Sequence, residues 1–305
     1  MRTFILSSCA LFLISTLSIA QEKGQLAAAD SLLRAGQLLE AVNAYRSILG
    51  QEPANQNASY NLACSYALLN MRDSAFHFLD ISLAQDTSVR ALNDPDFVLL
   101  LEDERWAEIE HRQVEKVEAK YGKYPKPELS KELWRMQLKD QAYYYHMDVA
   151  EKQLGPRNPL TTALWQLKKD INAQNEQRLE EIIAENGWPK KSEVKGSAAQ
   201  AAFLVIQHAD LELQQKYLPL LKEACEAGEA DWSGYALMYD RVEMREGRPQ
   251  LFGSQVTFNK ETGNYEPYAI KEPEYVNKRR KEVGLGPIEE YLGHWNIEWQ
   301  VEQKE

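Results

Sequence analysis

The chain has 305 residues, with 35 lysines and arginines against 46 aspartates and glutamates, a formal charge of −11 and three cysteines. A chain of this length makes one large domain or two ordinary ones, and either can bury a proper core. An acidic balance with no basic patch excludes nucleic acid and anionic membrane surfaces as electrostatic partners, and three cysteines build neither a disulfide framework nor a cysteine-based metal site.

Met1, Arg2 and Thr3 form a short positive start, Phe4 to Ile19 is largely apolar, and Ser18-Ile19-Ala20 places small residues at cleavage-site spacing. This pattern predicts a secretory signal peptide over 1–20, cleaved before Gln21, and export to the periplasm or the cell exterior. The apolar run is shorter than the roughly 18–20 residues that span a bilayer, so no stable membrane insertion is expected after cleavage. Leu6-Ser7-Ser8-Cys9 imitates a lipoprotein box, but most of the apolar run follows it, which argues against lipidation. Cys64 and Cys225 fall in different modules and are expected as two buried thiols.

Residues 25–55 and 59–89 align at a shift of 34: Ala29 with Ala63, Leu32 with Tyr66, Ala41 with Ala75, Tyr45 with Leu79 and Leu49 with Leu83. Small alanines at close-approach positions let paired helices touch while Tyr and Leu fill between them. This period and size pattern resembles a tetratricopeptide repeat, with Pro53 ending the first. Two such repeats bury their ends poorly, and Ala91 to Trp106 resembles a degenerate half-repeat that closes the array. The module is placed at 23–115. The resemblance implies a groove for a protein or peptide partner, or else a packing platform for the rest of the chain. Asn57-Ala58-Ser59 is a formal glycosylation sequon, though its place at the start of a repeat helix favours chance.

Tyr124-Pro125-Lys126-Pro127 interrupts helical periodicity and marks a joint. The apolar spacing predicts an amphipathic helix over 129–154, a second long helix over 160–186 stopped by Gly187-Trp188-Pro189, and shorter helices at 196–209, 211–227 and 231–246. Residues 250–258 and 265–270 read as a β-hairpin turned at Thr262-Gly263-Asn264. A helix over 272–283 begins with proline and acid and ends with Lys278 to Lys281 and Gly284. Trp295, Ile297, Trp299 and Val301 suggest a short final strand or a clasp against the domain, with 296–305 as a tail.

Gly187-Trp188-Pro189, Gln207-His208-Ala209-Asp210, Leu218-Pro219-Leu220, Asp240-Arg241, Gly253-Ser254-Gln255, Arg279-Arg280 and Tyr291 stand in the order seen in a bacterial family known only as a domain of unknown function. The resemblance covers 125–295 and departs at Ser254, where the pattern usually has threonine. It implies a domain and no mechanism. The fold class expected is mainly α: tetratricopeptide-type hairpins, then a helical domain with a small β-hairpin.

His208, Asp210 and Asp240 are the candidate catalytic groups, and Arg241, Gln250, Gln255 and Arg280 the candidate binding groups. If their elements meet, Arg241 could hold a carboxylate or phosphate beside His208 as acid or base. The structural alternative has Asp210 capping the next helix, Asp240 and Arg241 paired with Arg279 or Glu274, and His208 satisfied by a backbone carbonyl. His77, His111, His146, His208 and His294 show no metal-ligand spacing, no glycine-rich phosphate loop opens a helix, and no GxSxG elbow occurs, so neither metal nor cofactor is expected. The leading expectation is an exported, non-enzymatic interaction protein. The alternative is an envelope hydrolase acting on an anionic substrate through His208, Asp240 and Arg241.

Overall fold

The computed structural model describes residues 23–304, so the expected signal peptide lies outside the described residues. The architecture is mainly α with a small β-hairpin. Contacts divide the chain into two compact units, 23–123 with 141–169, and 124–140 with 170–304.

The first unit opens with helices α1 (23–34), α2 (Leu38–Gln51), α3 (Gln56–Leu68) and α4 (Arg72–Leu83), two helical hairpins in succession. The 34-residue offset reappears in the backbone: the tight turns fall at Gly36, φ +77°, and Asn70, φ +55°. Glycine and asparagine tolerate that left-handed conformation best. Ala29, Ala41, Ala63 and Ala75 are fully buried where the helices meet. Asp30 ties the pairs together, since its Oδ1 accepts from the Tyr45 hydroxyl at 2.7 Å and from Asn61 Nδ2 at 2.8 Å. Short 3-10 turns at Arg90–Asn93 and Pro95–Leu100 lead into α5 (Glu104–Tyr121), burying Phe97 and Trp106.

The expected helix over 129–154 is instead two, α6 (Pro127–Gln141) and α7 (Tyr144–Leu154), broken where Tyr143 adopts φ +71°. The break lets α7 lie on the hairpins. The Tyr145 hydroxyl donates to Leu33 O at 2.8 Å, and Val149 fills the space beside Gly36, where an added Cβ would come within 2.6 Å of its Cγ1. Residues 141–169 therefore fold with the hairpins, although the sequence boundary at about 115–125 assigns them to the second module. The expected long helix forms as α8 (Pro159–Asn186), but Leu160, Trp165 and Leu167 near its start stay exposed.

The second unit is a bundle of α6, the later part of α8, α10 (Gly196–His208), α11 (Leu211–Glu226) and α12 (Trp232–Arg245), with α9 (Lys191–Val194) as a short link. Cross-links set the register. Lys126, Glu132 and Met136 meet Asn186, Arg178 and Asn175, so α6 and α8 are antiparallel. Ser130, Trp134 and Asp140 meet Val194, Ser197 and His208, so α6 and α10 run parallel. Gln207 and Ala209 meet Arg241 and Arg245, which aligns α12 with α10. The C-terminal ends of α6, α10 and α12 consequently meet at one end of the bundle.

Beyond it, β1 (Val256–Asn259) and β2 (Asn264–Pro267) pair antiparallel with Val256 opposite Pro267, shorter than the alternation suggested. A 3-10 turn at Pro273–Tyr275 enters α13 (Val276–Glu282), and α14 (Ile288–Gly293) follows. Val276, Ile288 and Leu292 make a small core against which Ile297 and Trp299 pack. The final segment is thus a clasp without strand pairing. Cys64 and Cys225 are both free and buried.

Candidate functional site

His208 is the last residue of α10, and its Nδ1 lies 2.9 Å from both carboxylate oxygens of Asp140 at the end of α6. Asp140 is 1% exposed and His208 24%. An ionised carboxylate only accepts, so the pair places the imidazole proton on Nδ1 and leaves Nε2 as the acceptor. Opposite Asp140 in the antiparallel α6–α8 register stands Asn172, whose Oδ1 is buried with no partner among the described residues. One turn further, the Glu176 carboxyl is pushed up by burial and then by the charges of Asp210, Glu180 and Asp140. The bundle end therefore combines a polarised imidazole, a carboxyl that holds its proton more tightly than usual, and a free acceptor.

Arg241 reaches the same end but turns to backbone. Its Nη1 donates to Gln207 O at 2.8 Å and its Nε to Gln255 Oε1 at 3.3 Å. Arg245 and Gln214 donate to Ala209 O and Gln207 O, at 2.9 and 2.7 Å. Two guanidiniums and an amide thus cap the last carbonyls of α10, where the helix dipole is negative.

The remaining candidates build a different feature. Asp240, on the buried face of α12, accepts N–H bonds from Leu251 at 2.8 Å, Phe252 at 3.0 Å and Ser254 at 3.0 Å. Burial raises its pKa while those N–H groups work the other way. The carboxylate folds the 250–255 loop around itself. Gln250 extends the knot, donating to Gln255 O and Tyr268 O while its Oε1 accepts from Gln255 N–H. Gln255 also donates to Ser254 Oγ. Arg280, 3% exposed, fastens the loop to the C-terminal core through Phe252 O at 2.7 Å and Gly286 O at 2.6 Å. Asp210 caps α11 by accepting from Leu213 N–H at 2.9 Å. Arg279 bonds to the carbonyls of Leu251, Lys271 and Glu272.

Residues 127–301, more than half of the chain, match a family of unknown function, DUF6624. The chain belongs to that family. No curated protein and no solved structure matches it. Within the DUF6624 region the structure joins His208 to Asp140 and places Arg241 beside the adjoining carbonyl, while Asp240, Gln250, Gln255 and Arg280 hold one loop.

Asp140 was not singled out in the sequence, yet a signal exists. Leu133, Met136 and Asp140 share one helical face, and a carboxylate in line with buried apolar residues needs a partner. The geometry can move a proton at His208 Nε2 and orient a water or ligand there. Among the described residues His208 bonds no serine or cysteine.

A second gathering lies in the first unit. Cys64, Asp94 and Asp96 bring metal-capable atoms within 4.8 Å of one another. Asp94 accepts the Tyr60 hydroxyl at 2.6 Å and the Asp96 N–H at 3.1 Å, and the Cys64 thiol bonds Asp96. Burial pushes the Cys64 thiol up well above its ordinary range, which disfavours the thiolate a metal requires.

Proposed function

We propose that this DUF6624 protein is an exported interaction protein whose hairpins, 23–115, are of tetratricopeptide type and receive a protein or peptide partner. The observation that carries this is the 34-residue repeat, present in the turns at Gly36 and Asn70 and in four alanines with no exposure. Part of the hairpin surface, around Leu33 and Gly36, is covered by the chain's own α7, a segment of the family domain. The repeats thereby serve as a packing platform for α7 as well. Leu39, Met71 and Ile81 remain exposed on the hairpins and offer apolar anchors to a partner. The signal-like residues 1–20 support export, and the N-terminus of the mature protein, expected at Gln21, is read directly by mass spectrometry.

A photo-crosslinking residue at Met71 or Ile81 in the exporting cell tests the partner role. A discrete adduct is expected, lost when Leu39→Glu and Ile81→Glu are introduced together into a protein that still folds. Absence of any adduct at both positions, or an adduct indifferent to the two glutamates, removes the reading.

One observation favours a second reading, an acid–base function acting on an anionic envelope fragment: the imidazole of His208 is held through Nδ1 by the buried Asp140. Asp140, in place of Asp240, is then the orienting carboxylate. His208→Asn tests it, because an Asn amide nitrogen can occupy the Nδ1 position and keep the bond to Asp140 while Nε2 is lost. Loss of the wild-type phenotype with folding intact supports chemistry at His208. An unchanged phenotype excludes it.

A further inference from the structure

On the other side of α10 from His208 lies a cavity of about 80 Å³ that none of the candidate residues lines. Its inner wall is Trp188, Phe203, Leu221 and Leu237, from the α8–α9 link and three bundle helices. It meets solvent past Gln200 and Asp231, both exposed. Trp188 is 3% exposed, and its indole N–H is buried with no acceptor among the described residues. A buried donor without a partner is costly, and the other polar groups of the lining, Lys191, Gln200, Asp231 and Ser233, are less buried than Trp188. The rim carries no net charge, because Lys191 and Asp231 are paired with each other.

We propose that this cavity is a ligand site for a small neutral acetamide-like group, whose carbonyl accepts from Trp188 Nε1–H and whose methyl packs on Phe203 and Leu237. The volume admits a few non-hydrogen atoms, given the roughly 30 Å³ that one water occupies in the liquid. One donor calls for one acceptor, and a neutral rim offers no counter-charge for a carboxylate. Gly234 sets the width: a Cβ there would stand 3.3 Å from the Phe203 ring and push it into the chamber. The group would be the end of a larger ligand, either an acylated amino sugar or an acylated peptide, reaching in from the open side. The site is independent of the partner role of the hairpins and of His208.

The test is an NMR titration of the full mature protein labelled with ¹⁵N at the tryptophan indoles, using N-methylacetamide as the probe. The Trp188 resonance is identified by its disappearance in Trp188→Phe. It should move downfield and saturate with N-methylacetamide and stay still with acetate. Gly234→Ala should weaken the interaction about tenfold, the cost of overpacking by one methyl. Ala199→Val, which narrows the opposite wall, serves if Gly234→Ala does not fold. N-acetylglucosamine and N-acetylalanine methylamide then separate the two sources, and binding of either supports the site. A Trp188 resonance that does not saturate, that responds equally to acetate, or that is unaffected by narrowing the cavity overturns the proposal.

Discussion

Replacing Asp96 by asparagine should remove a pH dependence built into the first unit. Burial, and then the charge of Asp94, push the Asp96 carboxyl from its ordinary 3.8 up to about 6, against the pull of the Cys64 thiol bond. A carboxyl whose folded pKa is raised contributes stability that is complete below pH 3.8 and is lost as the pH climbs past 6. The interval corresponds to at most about 3 kcal/mol at about 1.4 kcal/mol per pH unit, and the partial exposure of Asp96 lowers this to about 1–3 kcal/mol. Asparagine keeps an oxygen for the Cys64 thiol and carries no charge. Part of that interval lies below pH 4.5, so urea unfolding at pH 4.5 and pH 7.5 should show Asp96→Asn gaining on the wild type by about 1–2 kcal/mol between the two conditions. Glu176 and Asp240 are also raised, so the quantity to read is the difference between variant and wild type. A difference that is the same at both pH values refutes the account of Asp96.

Gly36→Ala should cost about 1 kcal/mol for its positive φ and a further amount for the clash with Val149, so that Val149→Ala in the same protein recovers only the second part. A thermodynamic cycle of unfolding midpoints separates the two, and strict additivity would mean α7 does not press on that turn. Arg280→Leu should destabilise by about 2–4 kcal/mol, because Phe252 O and Gly286 O lose a buried donor. A loss well under 1 kcal/mol would show that water replaces the guanidinium.

Periodic features were the most legible. The shift of 34 located both hairpins, because close-packed helix pairs demand small residues at fixed intervals, and the helices of the second unit fell near their expected places. The break at Tyr143 was not legible, since nothing in Gln141-Ala142-Tyr143-Tyr144 marks a helix end; the surface offered by Leu33 and Gly36 accounts for it. The final segment alternates like a strand but finds no pairing edge. Trp299 is placed by apolar packing alone. At the site, sequence order drew His208 and Asp240 together as chemical candidates, whereas the actual partner of His208 is 68 residues earlier. Such a pairing follows only from the parallel register of α6 and α10, which local pattern does not encode. Asp240 and Gln250 belong to a loop whose backbone N–H and C=O groups have no sheet to satisfy them, and that need is visible only once the loop is folded.

Within the DUF6624 domain labour is divided: Asp240 builds the loop, whereas His208 presents a ring nitrogen, Nε2, for which no hydrogen bond is found among the described residues. Urea unfolding of Asp240→Ala and His208→Asn side by side, at pH 7, separates the two roles. Asp240→Ala leaves the N–H groups of Leu251, Phe252 and Ser254 without their acceptor and should cost about 3 kcal/mol or more. His208→Asn keeps the contact with Asp140 and should cost less than about 1 kcal/mol. The reverse order, a tolerant Asp240 and an indispensable His208, would show that His208 holds the fold and Asp240 does not.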